Sequence, residues 1–361
     1  MKEENGYRNW TLKVVIFIIA LLFVFPSLAQ EGETKNRSTA KQNLIKAWDF
    51  AIDTYYLIYN AFNECDSIYV TPKKYNMKLA PIYTHSYEHY KFTSADGKQS
   101  ISVSPNNRNR LGLQIGWRGI AVAYSFDLQK EHPQTDFNVS LYSARAGIDL
   151  YYRKSSEGYK IRGLKGFQEG YDTSILEYDR NFNAITVKQL GLNVYYIFNK
   201  KFSYPAAYTQ SSQQRISAGS FILGAGYNHH KFMFDRSAID ARILEQLQPG
   251  LLDDIKYHDF NINFGYSYNW VFAKNFLANI SLTPAICYKN PSLKMHDSKE
   301  LLSSINFDFV SRAAIVYNNS KYYAGTSLVS HTYTYNNDKL SIINGFGVLK
   351  VFFGFKFWRK K

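Results

Sequence analysis

The side chains that could do chemistry in this sequence are few and scattered. His229-His230 is the densest histidine feature, and His85 and His89 lie four residues apart. Ser327, Ser330 and His331 are the local set that could supply a nucleophile and a base. Arg145, Asp149 and Arg153 recur at four-residue steps. The two cysteines, Cys65 and Cys287, are far apart in the chain. Metal binding needs several ligand atoms on one centre, and acyl chemistry needs a hydroxyl within hydrogen-bond reach of its base.

The elements carrying these residues decide what they can do. Around them aromatic and aliphatic residues alternate with small or polar ones, which is strand periodicity. Neighbours on a strand face opposite sides, so His229 and His230 cannot share a metal and Ser330 points away from His331. Residues four apart on a strand are about 13 Å distant, too far for His85 with His89 or Ser327 with His331. The sequence carries no phosphate-binding loop, no zinc-type cysteine set and no nucleophile elbow. No catalytic residue, cofactor site or metal site is assigned. Arg145, Asp149 and Arg153, on one parity, are assigned to a charged network facing the interior of a barrel, either bracing it or lining a small pore. Cys65 and Cys287 leave a disulfide open.

The alternation is widespread. Ile120, Val122, Tyr124 and Phe126 share one parity, as do Tyr142 through Tyr152 at even numbers and Leu190, Leu192, Val194, Tyr196 and Phe198. Phe260 to Phe272, Phe276 to Leu282 and Leu349 to Phe357 repeat the pattern. The opposite parities hold Asn, Gly, Ser and the charges. In a membrane barrel one face meets lipid and the other meets the lumen. An arginine facing lipid at the midplane costs roughly 2–4 kcal/mol, so the charges are assigned inward. Asp96-Gly97, Ser156-Glu157-Gly158, Asn199-Lys200, Asn318-Asn319-Ser320 and Asn336-Asn337-Asp338 mark turns. The pattern weakens over Lys165 to Asn183 and Ser237 to Asp254, read as extended loops, the second with a short helix.

The N-terminus differs. Arg8 and Lys13 precede the apolar run Val14 to Phe25, and Ser27-Leu28-Ala29 is a small-x-small site before Gln30. This is the pattern of a cleaved export signal. Leu44, Ile45, Trp48, Ala51, Ile52, Tyr55 and Tyr59 then recur at helical spacing, predicting a short periplasmic helix over 41–60.

Composition bounds the class. The chain has 361 residues, 45% of them hydrophobic, with mean hydropathy −0.33, which excludes a helical membrane bundle. The 30 Tyr and 26 Phe suit strands and membrane interfaces. The +14 formal charge is dispersed among aromatics, which points to lipid head groups and not to nucleic acid.

The stretch Asp66-Ser67-Ile68-Tyr69-Val70-Thr71-Pro72-Lys73-Lys74-Tyr75-Asn76 resembles the entry to the domain of unknown function 4421 family. Gly112 to Leu128 with Gly116-Trp117-Arg118, Phe137 to Arg153, and Asn193 to Phe221 are similar to it too. That family occurs in Bacteroidetes and is regarded as outer-membrane barrel-like. The resemblance implies export and a barrel and supplies no catalytic residue. The chain also resembles outer-membrane barrels in its last strand, Phe353 to Trp358, although Arg359-Lys360-Lys361 follows the aromatic end.

The expectation is an all-β, antiparallel, up-and-down transmembrane barrel of about twelve strands. The divisions are a signal peptide over 1–29, a periplasmic segment over 30–77, the barrel over 78–358 and a basic tail over 359–361. The Gram-negative outer membrane is the expected location, after cleavage near Ala29. Outer-membrane lipid and the barrel-insertion machinery are the expected partners, with no nucleic acid and the oligomeric state open. The expected role is non-enzymatic, a narrow pore or an accessory or surface-binding barrel. The alternatives are a lipid-modifying acyl hydrolase or transferase and, more remotely, a soluble secreted β-protein.

Overall fold

A computed structural model describes residues 62–71, 74–117, 120–128, 134–167, 181–291, 304–337 and 340–359. The export segment and the helix expected over 41–60 lie outside the described residues, as does the centre of the loop expected after Lys165. The strands, in chain order, are β1 (Val70–Thr71), β2 (Tyr75–Ser94), β3 (Ser100–Pro105), β4 (Arg108–Trp117), β5 (Ile120–Asp127), β6 (Gln134–Tyr142), β7 (Ala146–Ser155) and β8 (Tyr159–Lys165). There follow β9 (Ile185–Ile197), helix α1 (Tyr204–Tyr208), β10 (Gln213–Gln214) and β11 (Ala218–Phe234). Helix α2 (Ala241–Leu244) precedes β12 (Ile255–Ala273), β13 (Phe276–Pro291), β14 (Ser304–Asn318), β15 (Tyr322–Asn336) and β16 (Leu340–Arg359).

Every pairing is antiparallel. Twelve strands form one path, β5-β4-β2-β16-β15-β14-β13-β12-β11-β9-β7-β6, so the last long strand pairs with the first. The β3–β8 pair joins the outer half of β2 and completes a 14-stranded sheet. The path ends at β5 and β6, and among the described residues no ladder joins those two. Ties across the interior show how the sheet curls on itself: β7 bonds to β14 and pairs ionically with β2.

Alternation sets the two faces. Phe264 is 53% exposed on the outside and its neighbour Asn263 is 4% exposed on the inside. Phe260, Ile262, Ile280, Ile286, Phe307 and Phe353 share the outer face. The inner face carries small and polar residues because aromatic rings from neighbouring strands lie across it. At Gly191 an added Cβ would stand 2.1 Å from the Tyr151 ring, and at Gly147 2.2 Å from that of Tyr195.

One expected strand is two. Tyr142 to Tyr152 does not run straight: β6 stops at Tyr142 and β7 begins at Ala146. The Ser143 hydroxyl accepts from the backbone N–H groups of Arg145 (3.3 Å) and Ala146 (2.9 Å), closing a tight turn without glycine or proline. Tyr142 therefore turns inward, where its hydroxyl donates to Asp149.

Apolar clusters close both ends. At the end carrying the chain's exit, α1 is buried throughout and packs with Phe202, Ile197, Ile222, Val316 and Phe352. Ser203 caps it, accepting from the Ala206 N–H. At the opposite end Tyr90, Phe92, Phe232, Tyr257, Tyr335 and Ile342 pack under the 235–254 loop, which holds a 3-10 turn over Arg236–Ala238 and α2. Gln99 stitches that loop down, donating to the Gln246 carbonyl (2.9 Å) and accepting from the Gln248 N–H (2.8 Å).

Candidate functional site: the polar interior

Between the two apolar ends the inward parities place charge and amide groups in contact. Asp259 on β12 stands opposite Lys289 on β13, and Asp308 comes from β14. Lys289 Nζ donates to both Asp308 oxygens at 2.9 and 3.0 Å and lies 3.5 Å from Asp259 Oδ2. The Cys287 thiol donates to Asp308 Oδ2 at 3.1 Å. The side chains of all three charged residues are at most 3% exposed. Asp308 Oδ1 also accepts from the Thr334 N–H (2.9 Å), taking over from the β14–β15 ladder where it ends.

Asp259, Cys287 and Asp308 bring three ligand atoms within 4.8 Å of one another. The Lys289 ammonium occupies the position a cation would take, held by two carboxylates. The group is a charge-paired cluster, and its donor set does not fit a resident metal. No disulfide links Cys287 to Cys65.

Arg145, Asp149 and Arg153 do not bond to one another. Arg312 on β14 donates to Asp149 Oδ2 at 2.7 Å and to the Tyr204 hydroxyl of α1 at 3.1 Å, tying wall to wall through the plug. Arg153 lies 3.3 Å from Glu88 on β2 and covers the Phe346 ring. Arg145 sits in the β6–β7 turn and donates to the carbonyls of Ile197 (2.7 Å) and Phe198 (3.0 Å) and to the Tyr196 hydroxyl.

His230 is fully buried and lies between Tyr257 and Tyr333, while His229 faces outward against His258. The two neighbours thus face opposite sides, as strand alternation requires. His85 faces outward and shares Asn109 with Tyr83. His331 points inward and stacks on Phe346, with Nδ1 against the Tyr333 hydroxyl. Ser330 meets Tyr87 instead. Ser327 is inward and directly opposite Lys350 of β16, itself opposite Thr84. Lys350 lies 5.8 Å from the Phe352 ring and bonds to no carboxylate among the described residues.

Sequence reasoning missed Lys289, Asp308 and Lys350. Their parity was available, since each falls on the inward set of its strand, but their partners come from strands far apart in sequence.

Residues 64–357 match the family described as domain of unknown function (DUF4421). The chain belongs to this family. No curated protein matches it. Among solved structures, this DUF4421 chain is similar to the outer membrane protease OmpT of Escherichia coli, at 8% identity and TM-score 0.35, over 78% of this chain and 97% of that one. It is similar to OprG of Pseudomonas aeruginosa at 13% identity and TM-score 0.25, over 80% and 98%. The toluene transporter TodX of Pseudomonas putida follows at 7% identity and TM-score 0.20, over 79% and 91%.

Proposed function

We propose that this DUF4421 protein is an outer-membrane β-barrel with a closed interior, acting as an accessory or surface-binding barrel and not as a pore. Export through cleavage near Ala29 would deliver it. The outward apolar residues on strands of 15 to 20 residues support membrane residence, since a crossing takes only about 9–11. The observation that carries the closed reading is the Arg312 bridge from Asp149 to Tyr204, set between apolar clusters at both ends. A barrel of about this size can be filled by side chains and a plug. The purified full chain in planar bilayers should give no ohmic conductance steps. Reproducible single-channel steps would defeat the closed reading.

One observation favours an acyl hydrolase. Ser327 faces Lys350 across β15–β16, and a hydroxyl beside an amine is a nucleophile–base combination. Under that reading the detergent-solubilised protein cleaves p-nitrophenyl esters and Ser327→Ala abolishes turnover with folding intact. Under the closed-barrel reading the wild type shows no turnover above the Ser327→Ala variant.

A further inference from the structure

The outer surface carries an arrangement that barrel closure does not require. Four lysines stand side by side on four adjacent strands. Lys154 of β7 is opposite Lys188 of β9, Lys188 is opposite Lys231 of β11, and Lys231 is opposite Lys256 of β12. All four share the outward parity of their strands. Lys154 and Lys256 are exposed and the middle two half-buried. Strands lie about 4.8 Å apart, so the row spans roughly 15 Å.

Like charges directly opposite one another on neighbouring strands repel. Carboxylates placed between such lysines normally relieve this, yet among the described residues none of the four makes an ion pair or a side-chain hydrogen bond. The row therefore holds four ammonium groups that no described carboxylate pairs with.

Its surroundings say what would offset it. One step along each strand on the same face come Tyr152, Leu190, His229 and His258. One step further the face is Leu150, Leu192, Tyr227 and Phe260. The cations thus edge an apolar surface on the side away from α1. Aromatic residues commonly mark the depth where acyl chains give way to head groups, and anionic head groups attract basic residues at that depth.

We propose that the Lys154–Lys188–Lys231–Lys256 row is a docking site for the phosphate groups of a membrane lipid, whose chains lie against the apolar face beneath it. This inference rests on the membrane residence proposed above. A lysine near an anionic surface contributes roughly a fivefold gain in binding. Glutamine at all four positions should therefore weaken binding by well over tenfold.

The test uses the full chain and vesicles. Wild type and the K154Q/K188Q/K231Q/K256Q variant are first refolded into pure dioleoyl phosphatidylcholine and floated on a density gradient. Both should float and migrate as heat-modifiable bands. The proteins are then taken up in dodecyl maltoside, and dioleoyl phosphatidic acid is titrated in with bound lipid counted by native mass spectrometry. Wild type should bind phosphatidic acid at least tenfold more tightly than the glutamine variant, weaken at 0.5 M NaCl, and show no such difference for phosphatidylcholine. The all-arginine variant should match wild type. Equal phosphatidic acid binding by wild type and the glutamine variant would overturn the site while leaving membrane residence intact. Displacement of the lipid by equimolar inorganic phosphate would also overturn it, since a free anion would then suffice. Failure of wild type to float on phosphatidylcholine would overturn both the site and the membrane reading beneath it.

Discussion

Lys289 shows how a single residue can hold an interior together. Its ammonium neutralises Asp308 and sits within reach of Asp259, in a place where water cannot replace it. Removing one partner of a buried pair strands the other charge and typically costs about 3–5 kcal/mol, whereas replacing a whole ion group by neutral residues is often nearly neutral. Lys289→Met alone should therefore lower the heat-modification temperature sharply. Lys289→Met combined with Asp259→Asn and Asp308→Asn should recover much of the loss, because an asparagine oxygen at 308 can still accept from the Thr334 N–H. Equal losses in the single and triple variants would show that Lys289 acts through packing and not through charge. The same scale explains Arg145. Its turn position removes it from the strand parity, and its guanidinium donates to the carbonyls of Ile197, the last residue of β9, and of Phe198 just beyond it.

At the scale of elements, the outer end is held by short polar turns. The Asp96 carboxylate accepts from the Ser94 hydroxyl (2.7 Å), from the Lys98 N–H (3.0 Å) and from Gln248 (3.3 Å), joining the β2–β3 turn to the 235–254 loop. Asp235 accepts from the Ser237 hydroxyl and N–H in the loop itself. The Ser94 hydroxyl bond and then the Lys98 N–H bond hold the Asp96 carboxyl below its ordinary value, and the Ser237 bonds do the same for Asp235. The sign follows directly. A carboxylate with a depressed folded pKa stabilises above its unfolded value of about 3.9 and loses that contribution as pH falls through the folded value. The amide protection factors of 94–99 and 235–238, corrected for the intrinsic pH dependence of exchange, should therefore fall below about pH 4. The Asp96→Asn/Asp235→Asn variant should lack this acid step. Protection unchanged down to pH 2 in the wild type would show that the apolar cluster alone holds the cap.

The barrel as a whole is organised as an apolar outside, a polar inside and two apolar ends. The outside should contact acyl chains everywhere the parity places it. Cysteines introduced at Phe264 and Ile280, carrying a fluorophore, should be quenched by lipid-phase quenchers in reconstituted vesicles, and one at Asn263 should not. A register slip of one residue exchanges the faces, so equal quenching at 263 and 264 would contradict the pairing of β12 with its neighbours. The free ends of the strand path, β5 and β6, are also the shortest strands of that path, with 8 and 9 residues. Beside them β7 is tied through the interior: Asp149 to Arg312, Arg153 to Glu88, and the Tyr151 hydroxyl to that of Tyr333 at 3.0 Å. Long-range polar ties thus brace the side of the sheet where the ladder is least continuous.

Period-two patterning determined most of the wall. Phe260 to Trp270 and Phe353 to Phe357 face outward as read, because side-chain direction on a strand is a local property of the backbone. Asp96-Gly97 and Asn318-Asn319-Ser320 turn as read for the same reason: Gly97 and Ser320 take positive φ values of 70° and 79°. The short helix inside 237–254 was legible from its spacing. Tyr142 was misread, since one serine hydroxyl closing a turn leaves no trace in hydropathy. The partners of Arg153, Asp149 and Lys289 were decided only in three dimensions. Asp149 meets an arginine 163 residues away and Lys289 an aspartate 19 residues away, and strand order sets both. The plug was equally hidden. Ser203-Tyr204-Pro205-Ala206-Ala207-Tyr208 could serve as an ordinary loop, and it is buried as a helix because the curled sheet leaves one end to fill. The lysine row follows the same logic. Each lysine is an unremarkable outward residue in its own strand, and only the register of four strands makes them neighbours.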